Sequence, residues 1–192
     1  MRRLGLGAAA LAALLTVAAP AVAAAAHQPA FSDPKSGFGI DPPQPFVVAP
    51  AKTKSYDVAV VVNSLTGSPS LGAGDNYLCQ VGFKALPDNA DFAQEEINLQ
   101  VEQPEWLDNA AAALSKSFDV VGKATFVLGG ATGIELIGKP KGGTPGAGVF
   151  VSMVDTPSGR TTLNCATRPE EIEAAVNQFR LIRASITLPG HH

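Results

Sequence analysis

Histidine is nearly missing from this chain. Its three copies are His27, His191 and His192, all outside the patterned body of the sequence. A Ser-His-Asp or Cys-His relay needs an imidazole inside the fold, so neither is expected. A histidine-based zinc site within the domain is excluded on the same ground, and no metal or cofactor is expected. Cysteine is scarce too. There are two, Cys79 and Cys165, with no CxxC pair and none just after the first apolar run, so no lipoprotein anchor is suggested. Charged residues make up 16% and the formal charge is −3. The basic cluster "KTK" at 52–54 is too short to track phosphates, so nucleic acid is not an expected partner. Aromatics stand at 6%, with Trp106 the one tryptophan. A core must therefore come from Val, Ile, Leu, Ala and the nine Phe, and 46% hydrophobic content is enough to build one.

What is present begins with a targeting segment at 1–26. "MRR" gives a positive start, "LGLGAAALAALLTVAAPAVA" an apolar run of small residues, and "AVA" (21–23) or "AAA" (24–26) a small-x-small cleavage site. A retained anchor needs ~20 strongly apolar residues. The alanines and Pro20 fall short of that, so no stable membrane span is expected after cleavage. The general secretory route, with a mature protein in a bacterial periplasm or outside the cell, is the better reading than a twin-arginine route. Cleavage after Ala26 removes Arg2 and Arg3 and no acid, taking the formal charge from −3 to −5. In an oxidising compartment an even cysteine count favours a Cys79–Cys165 disulfide over a reactive thiol or a metal pair.

Residues 27–50 hold six prolines (Pro29, Pro34, Pro42, Pro43, Pro45, Pro50) and read as an extended, partly disordered leader, with "FVV" (46–48) adding an edge strand. A single domain is expected over 51–188, with a tail at 189–192. "YDVAVVVNSL" (56–65) and "NYLCQVGFKAL" (76–86) read as strands joined by a turn-rich loop. Residues 87–118 read as helical. Asp91 and Gln94 have capping-box spacing, and Pro104 starts or kinks a second segment. Trp106, Ala110, Leu114 and Phe118 recur every four residues as one apolar stripe. Strands are expected at 119–130, 132–140, 148–156 and 160–167. A helix at 169–186 carries Ile172, Ala175, Val176, Phe179, Ile182 and Ile186 on one face, with Arg180 and Arg183 near its end. The fold class is α+β: an antiparallel β-sheet flanked by two main helices.

The stretch "GGATGIELIGKPKGGTPGAGVF" (129–150) invites comparison with a phosphate-binding loop. A P-loop needs a helix after GxxxxGK[ST], whose amide ends face the phosphate. Here Lys139 and Lys141 precede Gly142 and Gly143, and "GVFVSMV" reads as a strand. The glycines and prolines are loop punctuation, and the loop 139–148 is kept as a candidate partner contact. The acids Asp88, Asp91, Glu95 and Glu96 do not match an EF-hand and read as capping and solvated surface. Ser64, Ser115 and Ser152 lack the context of a nucleophile elbow. Trp106, Leu114 and Phe118 are the candidate pocket residues.

The order of elements, with "VVGKATFVLGGATGIELIG" and "RTTLNCATRPEEIEAAVNQFRLIRASI" as its local patterns, resembles an α/β/α sandwich superfamily. That superfamily includes the photosystem PsbP proteins, a Ran-binding import factor and the exported bacterial DcrB proteins. The resemblance covers about residues 46–188. It implies a PsbP/DcrB-like fold, no shared catalytic residues, and an accessory role that binds a protein or cell-envelope partner. The chain departs from the exported members in lacking a lipoprotein cysteine. Two further readings differ in kind. One is a carrier with an apolar pocket beside helix 104–118. The other is an enzyme using converging carboxylates from among Asp88, Asp91, Glu95, Glu102 and Asp155.

Overall fold

The computed structural model describes residues 29–143 and 145–190. The expected targeting segment 1–26 and all three histidines lie outside the described residues.

The proline-rich stretch departs from expectation: it is part of the fold rather than a loose leader. It forms β1 (Phe31–Ser32), β2 (Gly39–Ile40) and β3 (Phe46–Pro50). The reason lies between the prolines. Phe38, Ile40 and Phe46 are buried in the main core, and that burial outweighs the cost of ordering the backbone around them. At the far end Leu188 and Pro189 are buried as well, so only Gly190 of the described tail is exposed.

β4 (Val58–Ser64) and β5 (Cys79–Ala85) form the expected antiparallel pair. Residues 87–118 do not form one helical unit. Pro87–Asp91 is a short 3-10 turn, α1 is Gln94–Val101, and α2 is Pro104–Leu114. The N-cap of α1 is Ala93, not Asp91, and the Ala93 amide donates to Glu96 Oε2 at 2.9 Å. Gln103, held extended by the proline that follows it, separates the two helices. Phe118 is not on α2 at all; it begins β6 (Phe118–Leu128), because β-branched Val120 and Val121 take the chain into a strand.

β7 (Ala131–Pro140), β8 (Gly148–Thr156) and β9 (Gly159–Thr167) follow, then α3 (Ile172–Ala184) and β10 (Ile186–Thr187). Seven antiparallel strands run in the order β3-β4-β5-β9-β8-β7-β6, and β1, β2 and β10 make a small second sheet. Cys79 stands opposite Cys165 in the β5–β9 register, and the two are disulfide-bonded, 4.0 Å apart at Cα and 86 residues apart in sequence. Helices pack on both faces of the sheet, which makes an α/β/α sandwich.

One face is covered by α3. Ile172, Ala175, Val176, Phe179 and Ile182 are buried against Val60, Val81, Phe150 and Leu163, as their spacing predicts. Phe150 and Phe179 meet as tilted rings with centroids 5.7 Å apart. Gly148 makes the close approach possible, since a Cβ there would sit 2.8 Å from Ile172 Cβ. Glu171, at the N-cap, accepts hydrogen bonds from the Ser70 amide and hydroxyl at 3.1 Å each, which ties the helix start to the loop after β4.

Candidate functional site

The other face is covered only in part. α1 packs on β7 and β8, and α2 on β6 and β7. Polar contacts seat α1: Gln94 Nε2 donates to the Asp155 carbonyl at 3.1 Å, and the Thr132 amide donates to Asn98 Oδ1 at 2.8 Å. Ile97 and Val101 of α1 and Ile134 of β7 form a small buried cluster, with Trp106, Leu107, Ala110 and Met153 around it. Among the described residues no such helix covers β9, β5 and β4 on this face. Tyr56 takes its place above Gly82, where a Cβ would stand 2.3 Å from the tyrosine ring. Asn164 Nδ2 donates to the Tyr56 hydroxyl at 3.3 Å.

A groove runs between α2 and this open part of the sheet. Its floor is β8, whose Val149, Val151, Met153 and Asp155 share one side by strand alternation. At one end a depression of about 320 Å³ is lined by Trp106, Asn109 and Ala110 of α2 with Met153, Asp155 and Arg160. At the other end a depression of about 230 Å³ is lined by Leu114 and Phe118 with Tyr77, Gln80, Val149 and Asn164. The three candidate pocket residues are thus divided. Trp106 lines one end of the groove, and Leu114 and Phe118 line the other, because the helix ends before Phe118.

The charged element of the groove is an ion pair. Arg160 Nε donates to Asp155 Oδ1 and Nη2 to Oδ2, both at 2.7 Å, a side-on bidentate pair. That hydrogen bonding raises the Arg160 pKa, more than burial lowers it. The two residues are directly opposed in the β8–β9 register, so the strand pairing presets their geometry. The other acids do not join them as a carboxylate set. Asp88, Asp91 and Glu95 are exposed around the start of α1, and Glu102 accepts from Thr132 Oγ1 at 3.2 Å. Glu96 caps α1.

The glycine-rich stretch is β7, a turn and β8. No helix follows it, and β8 begins at Gly148. Lys141–Gly143 is a 3-10 turn in which Gly142 has φ +59°, a conformation that favours glycine. Lys141 and Gly142 are exposed, while Lys139 Nζ donates to Glu173 Oε1 of α3 at 2.6 Å. Lys139 therefore fastens the end of β7 to α3. This turn lies near the Leu114–Phe118 end of the groove: Ala147 just after it packs on Gly72, and Leu71 beside Gly72 is exposed.

Sequence reasoning missed the Asp155–Arg160 pair, Tyr56, Asn109 and Met153 as site residues. Alternation along "GVFVSMVDT" would have placed Met153 and Asp155 on one face with Val149 and Val151. It also missed Glu135, which is 3% exposed on the α3 side of the sheet. Arg180 Nη2 and Arg183 Nη1 each donate to it at 2.5 Å, and the Arg183 guanidinium lies 3.7 Å from the Phe126 ring centroid. Burial pushes the Glu135 carboxyl up, but the hydrogen bonds and charges of the two arginines outweigh it and hold the group below its ordinary value.

No protein-family model and no curated protein matches the chain. Solved structures do. Cyanobacterial PsbP (CyanoP) from Synechocystis sp. PCC 6803 matches at TM-score 0.51 and 13% identity, over 88% of this chain and 99% of that one. LpqN of Mycobacterium tuberculosis, described as involved in cell envelope biogenesis, matches at TM-score 0.52 and 14% identity, over 80% of this chain and 83% of that one. The fold is PsbP-like. At these identities the likeness fixes the architecture, and the site has to be argued from the residues of this chain.

Proposed function

We propose that this chain is an exported, non-enzymatic accessory protein that binds a protein or cell-envelope partner through its half-covered sheet face. The observation that carries the reading is the groove beside α2, where the sole tryptophan and an ion pair stand at the edge of bare sheet. Trp and Arg are the side chains most often found at the energetic centre of interfaces. Several carboxylates serve structural contacts, and Asp88, Asp91 and Glu95 are exposed around the start of α1. Asp155 is paired with Arg160, Glu135 with two arginines, and Glu96 and Glu171 serve helix starts. The buried disulfide fits an oxidising compartment, and among the described residues no helix is long and apolar enough to cross a membrane. The LpqN likeness agrees with a role at the cell envelope. The exposed Lys141–Gly142 turn and Leu71 extend the same surface beyond the Phe118 end of the groove.

A photo-crosslinking residue placed at Asn109 in the producing cell tests this. A discrete adduct from position 109, with none from Leu181 on the outer side of α3, supports the reading. No adduct from 109 sinks it.

A second reading has its own observation in favour. The depression of about 320 Å³ beside Trp106 is what a carrier of small apolar ligands requires. Because Trp106 is the only tryptophan, intrinsic fluorescence reports on that depression. Emission unchanged across a series of apolar ligands rules the carrier out.

A further inference from the structure

The two edges of the large sheet are unlike. β3 is five residues long, follows Pro45 and ends at Pro50, which has no amide hydrogen to offer a neighbour. β6 is eleven residues long, contains no proline and, among the described residues, pairs with β7 on one side only. Its solvent-facing row includes Val121 and Val127, which are 52% and 71% exposed. Lys123 stands in the same row, where a free lysine would guard the edge, but its Nζ is drawn into an ion pair with Asp108 of α2. An open, long, apolar strand edge is a template for another strand.

We infer that β6 pairs with β6 of a second copy of this chain, antiparallel, about a two-fold axis at Ala124. The occupant follows from the strand's own pattern. A two-fold axis perpendicular to the sheet keeps each side chain on its face, so the axis must pass through a residue rather than between two. Centred on Ala124, the ladder sets Val121 opposite Val127 in both directions and Lys123 opposite Thr125. On the other face Phe126 stands opposite Gly122, so the large ring meets the residue without a side chain. Centring on Lys123 puts the two lysines directly against each other, which is unfavourable. Centring on Thr125 puts Lys123 against Val127 and leaves Val121 against Gly129. One register alone pairs the two exposed valines with each other.

The ends of the ladder are also set. Val121, the residue that the β6–β7 register skips, is the last ladder position on one side, and the Gly129–Gly130 turn bounds the other. Beside β6, α2 presents Ala111, Ala112 and Ser115 to a depression of about 490 Å³ that reaches Val121 and Lys123.

The test uses the mature, disulfide-intact protein. Analytical ultracentrifugation across a concentration series should show a monomer–dimer equilibrium. Val127→Lys, at an exposed site that leaves the fold intact, should weaken the dimer about tenfold, because symmetry places the change at two pairs. The described residues contain no free cysteine, so Ala124→Cys introduces one thiol on β6. Directly opposed residues stand about 4.5–5.5 Å apart at Cα, within disulfide reach, so Ala124→Cys should form a covalent dimer under mild oxidation. A monomer at every concentration overturns the proposal. So does a dimer that is indifferent to Val127→Lys, or one that Ala124→Cys does not lock.

Discussion

The two faces of one sheet are finished to different degrees. Under α3 the side chains are large and enclosed: Phe150, Phe179, Ile182 and Leu163 are each at most 1% exposed, the disulfide lies among them, and Glu135 holds two arginines of the helix. Under α1 and α2 the enclosed cluster is three residues, and α2 has no buried residue at all. Composition explains the contrast. α3 presents Ile, Val and Phe to the sheet, while the middle of α2 is a run of alanines, which form helix readily but bury little. The hydrophobic effect holds the first face shut. The second is held by a small apolar cluster and a few polar anchors, which leaves half the sheet and the flank of Trp106 available to something else.

The largest effects should come from the closed face. Phe179→Ala removes the aromatic partner of Phe150 from a site with no exposure and should cost ~3–5 kcal/mol. Trp106→Ala, at a half-buried position, should cost only ~1–2 kcal/mol and should abolish the binding proposed for the groove. Chemical denaturation of both variants checks the ordering. Equal costs would mean that the groove face is as much a core as the other.

Replacing both cysteines, Cys79→Ala with Cys165→Ala, comes next. The bond closes a separation of 86 residues across the central strands β5 and β9 and should be worth ~2–4 kcal/mol. The loss should appear as a lower denaturation midpoint with the groove's binding retained. Lost binding in a folded variant would show that the disulfide shapes the open face as well.

Glu135 gives the comparison a pH dependence. Its folded pKa lies below the unfolded one, so its contribution is complete above the unfolded carboxyl value. It is lost as pH falls through the depressed folded value. Glu135→Gln should therefore destabilise at neutral pH by ~2–3 kcal/mol, discounted because the Arg180 side chain is 44% exposed. It should also flatten the acid limb of the stability profile. A variant with the wild-type acid limb would mean that other carboxylates govern acid unfolding.

This contrast was only half legible in the sequence. The strands and α3 could be read because their apolar residues keep a period, as in Ile172, Ala175, Val176, Phe179 and Ile182. The order of elements led to the right architecture. Residues 29–45 were misjudged because their prolines outweighed Phe31, Phe38 and Ile40, whereas the edge strand expected at 46–48 is β3; only long-range pairing shows that Ile40 meets Ile186. Grouping Trp106 with Leu114 and Phe118 on one stripe assumed a helix that runs to Phe118, whereas α2 ends at Leu114. Arg160 and Asp155 lie five residues apart across a tight turn. They become partners through the β8–β9 register, which the two-residue turn at Pro157 and Ser158 sets, so the signal was local but went unused.

The smallest effect tests the glycine-rich turn. Lys139 and Glu173 are paired at 2.6 Å, but Glu173 is largely exposed, and an ion pair in water adds little to stability. The hydrogen bond from Lys139, with its charge, holds the Glu173 carboxyl below its ordinary value. Any stability from the pair is present at neutral pH and lost as pH falls through that lowered value. Lys139→Ala should thus leave the denaturation midpoint within error of wild type. Binding is the discriminating readout. If the turn only joins β7 to β8, Lys139→Ala and Lys141→Ala should leave partner binding unchanged while Trp106→Ala removes it. If the partner reaches past the Phe118 end of the groove, Lys141→Ala should weaken binding with no loss of stability, and more so at low salt, as an exposed charge contact would.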